Sequence, residues 1–192
     1  MIERSPERDA AVLAALPHVP RLGWTEASLE AGLRDIGEDP AAHRWLFPRG
    51  AVGAVEAWID LADRRMEAAA EAEGLDALRV PARIRRLLAI RLEQASPQRE
   101  ALRRALALMA APWNVVVAAR TLARTADAIW AAAGDRSADF SWYTRRATVA
   151  AVYAATLAYW LREPVGVDAA LEFLDRRLAG LARLRRPKPA GG

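Results

Sequence analysis

Residues Gly134 to Leu161 read GDRSADFSWYTRRATVAAVYAATLAYWL. Gly134 can adopt the positive φ that ends a preceding helix, and Ser137 or Asp139 can cap the helix that follows. No charged residue occurs from 147 to 161. A helix that is apolar on every side is buried on every side, so we expect it to contact its own core and a second subunit. This run is shorter than the ~18–20 residues that span a bilayer.

The first turn of that helix carries a cluster of aromatic and charged residues, namely Asp139, Phe140, Trp142, Tyr143 and Arg146. Trp142 and Arg146 are four residues apart, so they share a helix face and can form a cation–π pair. One interpretation is a half-buried aromatic helix start. The other is a docking surface for a partner protein, because Trp, Tyr and Arg are the commonest interface hot spots.

Motifs on both sides of this helix resemble one known family, that of the ubiquinone (coenzyme Q) biosynthesis lipid-binding protein, the ninth of the coenzyme Q series. They are TADAIW at Thr125–Trp130, AGDRS at Ala133–Ser137, DFSWYTRR at Asp139–Arg146 and FLDRR at Phe173–Arg177. The match is close from about Pro112 to Arg177. A looser match extends from LPHVP at Leu16–Pro20 and from Gly23-Trp24 onward.

This resemblance implies an all-α, TetR-repressor-like bundle that binds lipid and assists the di-iron demethoxyubiquinone hydroxylase. It places the family's hydroxylase-docking surface on the segment 139–146. Members outside bacteria can carry a further amphipathic helix that engages membranes. The sequence shows no such helix up to Gly192, so the expectation here is peripheral membrane contact only.

Composition excludes several classes of site. The chain has 192 residues, enough for one domain with a real core, and no cysteine, which excludes disulfides and thiolate sites. His18 and His43 are its only histidines, too few for a typical multi-histidine metal site. The net charge of +4 comes almost wholly from arginine and is too small to indicate a nucleic-acid or lipid partner.

Apolar residues recur at helical spacing along the whole chain, which predicts about nine helices and no strand. We expect a helix-turn-helix-like head over 1–50, a body for lipid binding and dimerisation over 51–186, and a disordered tail over 187–192. Proline and glycine divide the predicted helices, which cover approximately 6–16, 25–36, 40–47, 51–73, 80–95, 97–109, 113–133, 138–161 and 167–185.

Catalytic motifs are absent from the sequence. Glu67, Glu71 and Glu73 lie on one predicted helix, but the Glu-x-x-His pairs of di-iron bundles are missing. No nucleophile elbow, P-loop or dinucleotide fingerprint occurs. The sequence therefore predicts a protein that is not an enzyme and that uses no metal or cofactor.

A TetR-type, ligand-responsive transcription regulator is the alternative, because a helix-turn-helix head usually binds DNA. The second helix and its exit carry Glu26, Glu30 and Asp35, which would repel phosphates. The third helix presents Trp45 and Phe47 where base-reading polar residues are expected. Nucleic-acid binding is therefore not the expectation.

The last helix pairs an apolar stripe from Val167 to Leu181 with several arginines. Such a helix can lie on a membrane surface. It can equally pack on the central helix in a TetR-like dimer interface. We favour the second interpretation and expect a homodimer.

Lipid binding requires an apolar cavity rather than a motif. Alanine-rich helices beside large Trp and Leu residues could leave such a cavity or pack tightly, and the sequence does not separate the two. The candidate lining residues are Ile84, Leu88, Leu106, Met109, Trp113, Val116, Ile129, Trp130 and Tyr153. The ligand would be an isoprenoid or quinone intermediate that is presented to the hydroxylase. We expect a bacterial cytoplasmic protein, peripheral to the inner membrane.

Overall fold

Helix starts follow capping residues of the sequence. In the computed structural model, which describes residues 3–134, 141–162 and 164–184, the Ser5 hydroxyl accepts a hydrogen bond from the Arg8 amide at 3.2 Å. Thr25 and Ser28 form a reciprocal capping box, as predicted for Thr25. No strand occurs among these residues.

Ten α-helical segments make up the described chain. They are α1 (Pro6–Ala15), α2 (Val19–Leu22), α3 (Glu26–Asp35), α4 (His43–Leu46), α5 (Gly50–Ala72), α6 (Val80–Ala95), α7 (Arg99–Met109), α8 (Val115–Ala132), α9 (Ser141–Trp160) and α10 (Val167–Leu184). The predicted all-α class is confirmed.

The extra segment is α2, which lies where Pro17, Pro20 and Gly23 predicted a loop. Pro20 occupies the first turn of α2 and Pro17 the first turn of a preceding 3-10 helix, Leu16–His18. Proline is tolerated there because the first amides of a helix have no intrahelical acceptor. Proline therefore marks helix starts in this region, and Gly23, at φ +71°, ends α2.

The head consists of α1 to α4, and its main contact is between α1 and α3. Gly32 makes this contact close, since a Cβ there would lie 2.5 Å from the backbone of Ala14 and Ala15. Trp24 joins the head to the body, because its indole Nε1 donates a buried hydrogen bond of 2.9 Å to the Ala101 carbonyl.

In the body, α5 packs against α6 and α8, and α9 packs against α8 and α10. Gly134 ends the turn after α8 at φ +80°, as its position predicted. The proposed caps Ser137 and Asp139 and the predicted tail 187–192 lie outside the described residues. Arg99 fixes the far end of α9, donating to the carbonyls of Trp160 at 2.6 Å and Arg162 at 3.0 Å.

Within the described ranges, no single helix is long and apolar enough to cross a membrane. Val80–Met109 and Pro112–Ala132 together have the length and apolar composition of one span, but the chain bends by 90° between them.

Candidate functional site

An apolar cavity of about 480 Å³ lies between α7, α8 and α9. Its volume is within the ~300–1,000 Å³ typical of small-molecule sites. Aliphatic side chains form most of its wall, including Leu106, Met109, Ala118, Leu122, Ala154 and Leu157.

Small side chains create this space. Ala118 and Ala119 on α8 line it, as do Ala154 and Ala158 on α9, which lie four residues apart and therefore share one helix face. An alanine at such a position leaves room that a leucine or phenylalanine would fill. The mouth of the cavity includes the exposed residue Val115.

Polar side chains interrupt the apolar wall at its inner end. Arg91 from α6 and Tyr153 from α9 both line the cavity, and the guanidinium carbon lies 5.8 Å from the Tyr153 ring centre. Behind them, Nη2 of Arg91 lies 3.4 Å from Oδ1 of Asp63 on α5. Thr125, on α8, donates a hydrogen bond of 3.0 Å to the other oxygen of Asp63.

Burial controls the electrostatics of this group. It raises the pKa of Asp63 to about 6, against the opposing effects of the Arg91 charge and the Thr125 hydrogen bond. Burial lowers the pKa of Arg91, but Tyr153 and Asp63 outweigh it, so the pKa is raised and the guanidinium stays charged. Burial likewise raises the pKa of Tyr153, whose hydroxyl stays protonated.

A second, smaller cavity of about 60 Å³ lies on the other side of Arg91 and Tyr153. The two cavities share these residues together with Ile59 and Leu102. The smaller one is also lined by Arg65, Gln94 and Gln98 and is therefore more polar.

The predicted lipid-binding residues fall into three groups. Leu106, Met109 and Tyr153 line the large cavity. Trp113, in the 3-10 turn before α8, and Val116, in the first turn of α8, are 80% and 65% exposed and do not line it. The other four are buried in the core away from its wall: Ile84, Leu88, Ile129 and Trp130.

The predicted docking segment is described only in part. Asp139 and Phe140 lie outside the described residues, as does the side chain of Trp142. Tyr143 is 74% exposed. Arg146 forms an ion pair of 2.7 Å with Asp127 on α8, which anchors the start of α9 to the preceding helix.

Sequence reasoning missed the polar end of the cavity. The available signal was Arg91, a lone charge inside the apolar run Leu87–Leu92 on α6. A charged residue within such a run needs a buried partner. Asp63 is distant in sequence, and only the packing of α5 on α6 brings it near. Over the described ranges, no group of three or more His, Asp or Glu side chains could hold a metal ion.

Comparison with known proteins gives a consistent result. The COQ9 family model matches residues 115–185, which include α8, α9 and α10. "Ubiquinone biosynthesis protein COQ9, mitochondrial" of Drosophila melanogaster is 29% identical over 90% of this chain and 54% of its own length. The human protein of that name is 30% identical over 74% of this chain and 47% of its own. The Schizosaccharomyces pombe protein is 28% identical over 85% of this chain and 65% of its own.

Among solved structures, a TetR transcriptional regulator from Nitrosomonas europaea superposes with a TM-score of 0.74. It is 24% identical in sequence, and the match covers 93% of this chain and 99% of the regulator. At that identity the likeness shows the fold alone, and it confirms the predicted TetR-like architecture.

The chain spans about half the length of the Drosophila and human relatives. The names of these relatives describe ubiquinone biosynthesis proteins, and none of those names specifies a reaction. The resemblance predicted from the motifs around α9 is confirmed: the chain is similar to the COQ9 family of ubiquinone biosynthesis proteins.

Proposed function

We propose that this protein binds an isoprenoid or quinone intermediate of ubiquinone synthesis in the α7–α8–α9 cavity and presents it to the demethoxyubiquinone hydroxylase. The observation that carries the proposal is the cavity itself, which combines an aliphatic wall with about 480 Å³ of space. A water-insoluble molecule leaves a bilayer readily only when another apolar site replaces the bilayer.

In this proposal the protein acts by delivery and is not itself an enzyme. Val115 at the cavity mouth is exposed, and so are its near neighbours in sequence, Trp113 and Val116. Such an apolar cluster supports peripheral contact with a membrane, from which the ligand would be collected. The start of α9 would dock the hydroxylase, since Tyr143 is exposed there and Arg146 is held by Asp127. The similarity of the chain to ubiquinone biosynthesis proteins supports the choice of a partner from that pathway.

Native mass spectrometry of the gently purified protein tests the proposal directly, because a bound lipid adds mass to the folded chain. We expect an apolar adduct that disappears in Ala118→Trp, since Ala118 lines the cavity and the indole fills it. Ala123→Trp is the matched control, because Ala123 is exposed on the same helix and does not line the cavity.

A lipid adduct that persists in Ala118→Trp but is lost in Ala123→Trp would show that the lipid binds outside this cavity. Absence of any lipid from the unmodified protein, together with failure to take up added prenyl quinone, would contradict the proposal.

A further inference from the structure

Buried polar atoms separate the two cavities. Arg91 and Tyr153 line both and are only 6% and 5% exposed. Nε of Arg91 has no hydrogen-bond partner in the part of the chain that the structure describes. A buried donor without an acceptor is costly, and an oxygen atom of a ligand could supply that acceptor.

The cavities differ in what they can hold. The smaller one, about 60 Å³, has room for about two water molecules at ~30 Å³ each. Gln94 contributes to its wall, and Oε1 of this residue is buried without a partner among the described residues. Because an apolar tail fits only the larger cavity, a ligand with a polar head would place that head at Arg91 and Tyr153.

The charge balance restricts the kind of head group. The positive charge of Arg91 faces the carboxylate of Asp63 at 3.4 Å. On α8, the neutral Thr125 hydroxyl donates a hydrogen bond to Asp63. On α9, the group that faces Arg91 is the neutral phenol of Tyr153. The guanidinium is therefore already balanced, and a second anion would be placed near the Asp63 carboxylate.

We propose that the cavity binds its ligand head first, with a neutral, oxygen-bearing head group accepting a hydrogen bond from Arg91 beside Tyr153. A quinone or ketone carbonyl has this chemistry. The apolar tail extends between α7, α8 and α9 towards the mouth at Val115. This inference rests on the proposed function, because it requires a lipid in the same cavity.

Titration calorimetry on the full chain tests the inference with three probes that share a similar tail: a decyl-substituted benzoquinone, decylbenzene and dodecanoate. The main variant is the double substitution Asp63→Asn with Arg91→Met, which removes both charges. The new amide oxygen at position 63 can still accept the hydrogen bond from Thr125. Replacing a buried ion pair by neutral groups of similar size usually preserves folding. Tyr153→Phe is the milder second variant, and Leu106→Ala is the control on the apolar wall.

We expect the unmodified protein to bind the quinone about tenfold more tightly than decylbenzene, because one hydrogen bond from a charged donor changes affinity by about that factor. Dodecanoate should bind more weakly than the quinone. The double variant should lose the preference for quinone over decylbenzene while binding decylbenzene as before. Leu106→Ala should weaken both probes by a similar factor.

The head-first arrangement would be overturned if the double variant lost affinity for the quinone and for decylbenzene equally, or if it kept the preference for the quinone. The proposed function would still stand. Tighter binding of dodecanoate than of the quinone would overturn the neutral head group. If the unmodified protein bound no probe, the proposed function would fail together with this inference.

Discussion

Nη2 of Arg91 lies 3.4 Å from Oδ1 of Asp63, and this buried contact joins α6 to α5 behind the candidate cavity. Burial raises the pKa of Asp63 from 3.8 to about 6 despite the nearby cation. Between these values the folded chain holds a proton that the unfolded chain has released. The free energy of unfolding that Asp63 contributes therefore falls as pH rises through this window.

Removing this carboxyl should change the pH dependence of stability. Asp63→Asn changes stability by a constant amount and by a part that depends on pH. Between pH ~4 and ~6.5 the pH-dependent part should favour the variant over the unmodified protein by about 2 kcal/mol. Urea unfolding at several pH values measures that difference.

Asp60→Asn is the control of opposite sign. Burial raises the pKa of Asp60, but its pairs with Arg4 and Arg64 outweigh this and lower it. Its stabilising contribution is therefore lost only as pH falls through that lowered pKa, below the window of Asp63. A flat difference for Asp63→Asn across pH 4 to 6.5 would show that its pKa is the same in the folded and unfolded chains.

Trp24→Phe should destabilise the protein by about 1 kcal/mol, because it removes the buried hydrogen bond from the Trp24 indole to the Ala101 carbonyl. Trp45→Phe should change stability by less than about 0.5 kcal/mol, since Trp45 is exposed. Denaturant unfolding followed by circular dichroism distinguishes the two. Equal effects would contradict the role of Trp24 in joining head to body.

Dimerisation through α9 and α10 remains a prediction. Within one chain, Ala147 and Ala151 on the uncharged helix are exposed and do not line the cavity, so a second subunit would bury that face. Ala151→Glu should convert a dimer to a monomer without loss of helix content. Tyr159 is less suitable for this test because it stacks on Phe173 of its own chain at 4.4 Å.

Analytical ultracentrifugation measures the change, with Ala68→Glu on the exposed face of α5 as the control. A monomer of the unmodified protein at micromolar concentration would contradict the prediction.

The start of α9 should contribute to hydroxylase binding. Tyr143→Ala and Trp142→Ala should each weaken the complex by ~2 kcal/mol or more, the usual size of a hot-spot truncation. Because Tyr143 is exposed, Tyr143→Ala should leave the melting temperature nearly unchanged. Surface plasmon resonance with the hydroxylase measures affinity, and Trp45→Ala, in the head, is the control. A folded Tyr143→Ala protein with full affinity would exclude Tyr143 as an anchor.

The head should not form a nanomolar, salt-sensitive complex with DNA. Its α4 has a single turn, His43–Leu46, too short to lie along a major groove, and α3 carries acidic Glu26 and Asp35. Fluorescence anisotropy against DNA from upstream of the protein's own gene, at moderate salt, provides the measurement. Tight binding to a palindromic site would instead favour the transcription regulator.

The helices could be predicted from local sequence patterns, because caps, prolines and apolar spacing act over a few residues. Thr25 and Gly134 mark ends that the structure confirms, whereas Pro40 opens a 3-10 turn, Pro40–Ala42, directly before α4. Pro20 gave the wrong prediction because proline occurs both in loops and in the first turn of a helix. The motifs around α9 were sufficient to indicate the family, since aromatic and charged residues recur there at fixed spacing.

The position of the cavity and the polar groups that reach it could not be predicted in this way, because they depend on how distant helices pack. Periodicity shows that Ile129 and Met109 are apolar, but the packing of three helices places Met109 on the cavity wall and Ile129 in the core. The contact between Asp63 and Arg91 likewise joins helices through long-range packing. Local patterns specify which face of a helix is buried, whereas a cavity depends on the side-chain volumes of several helices together.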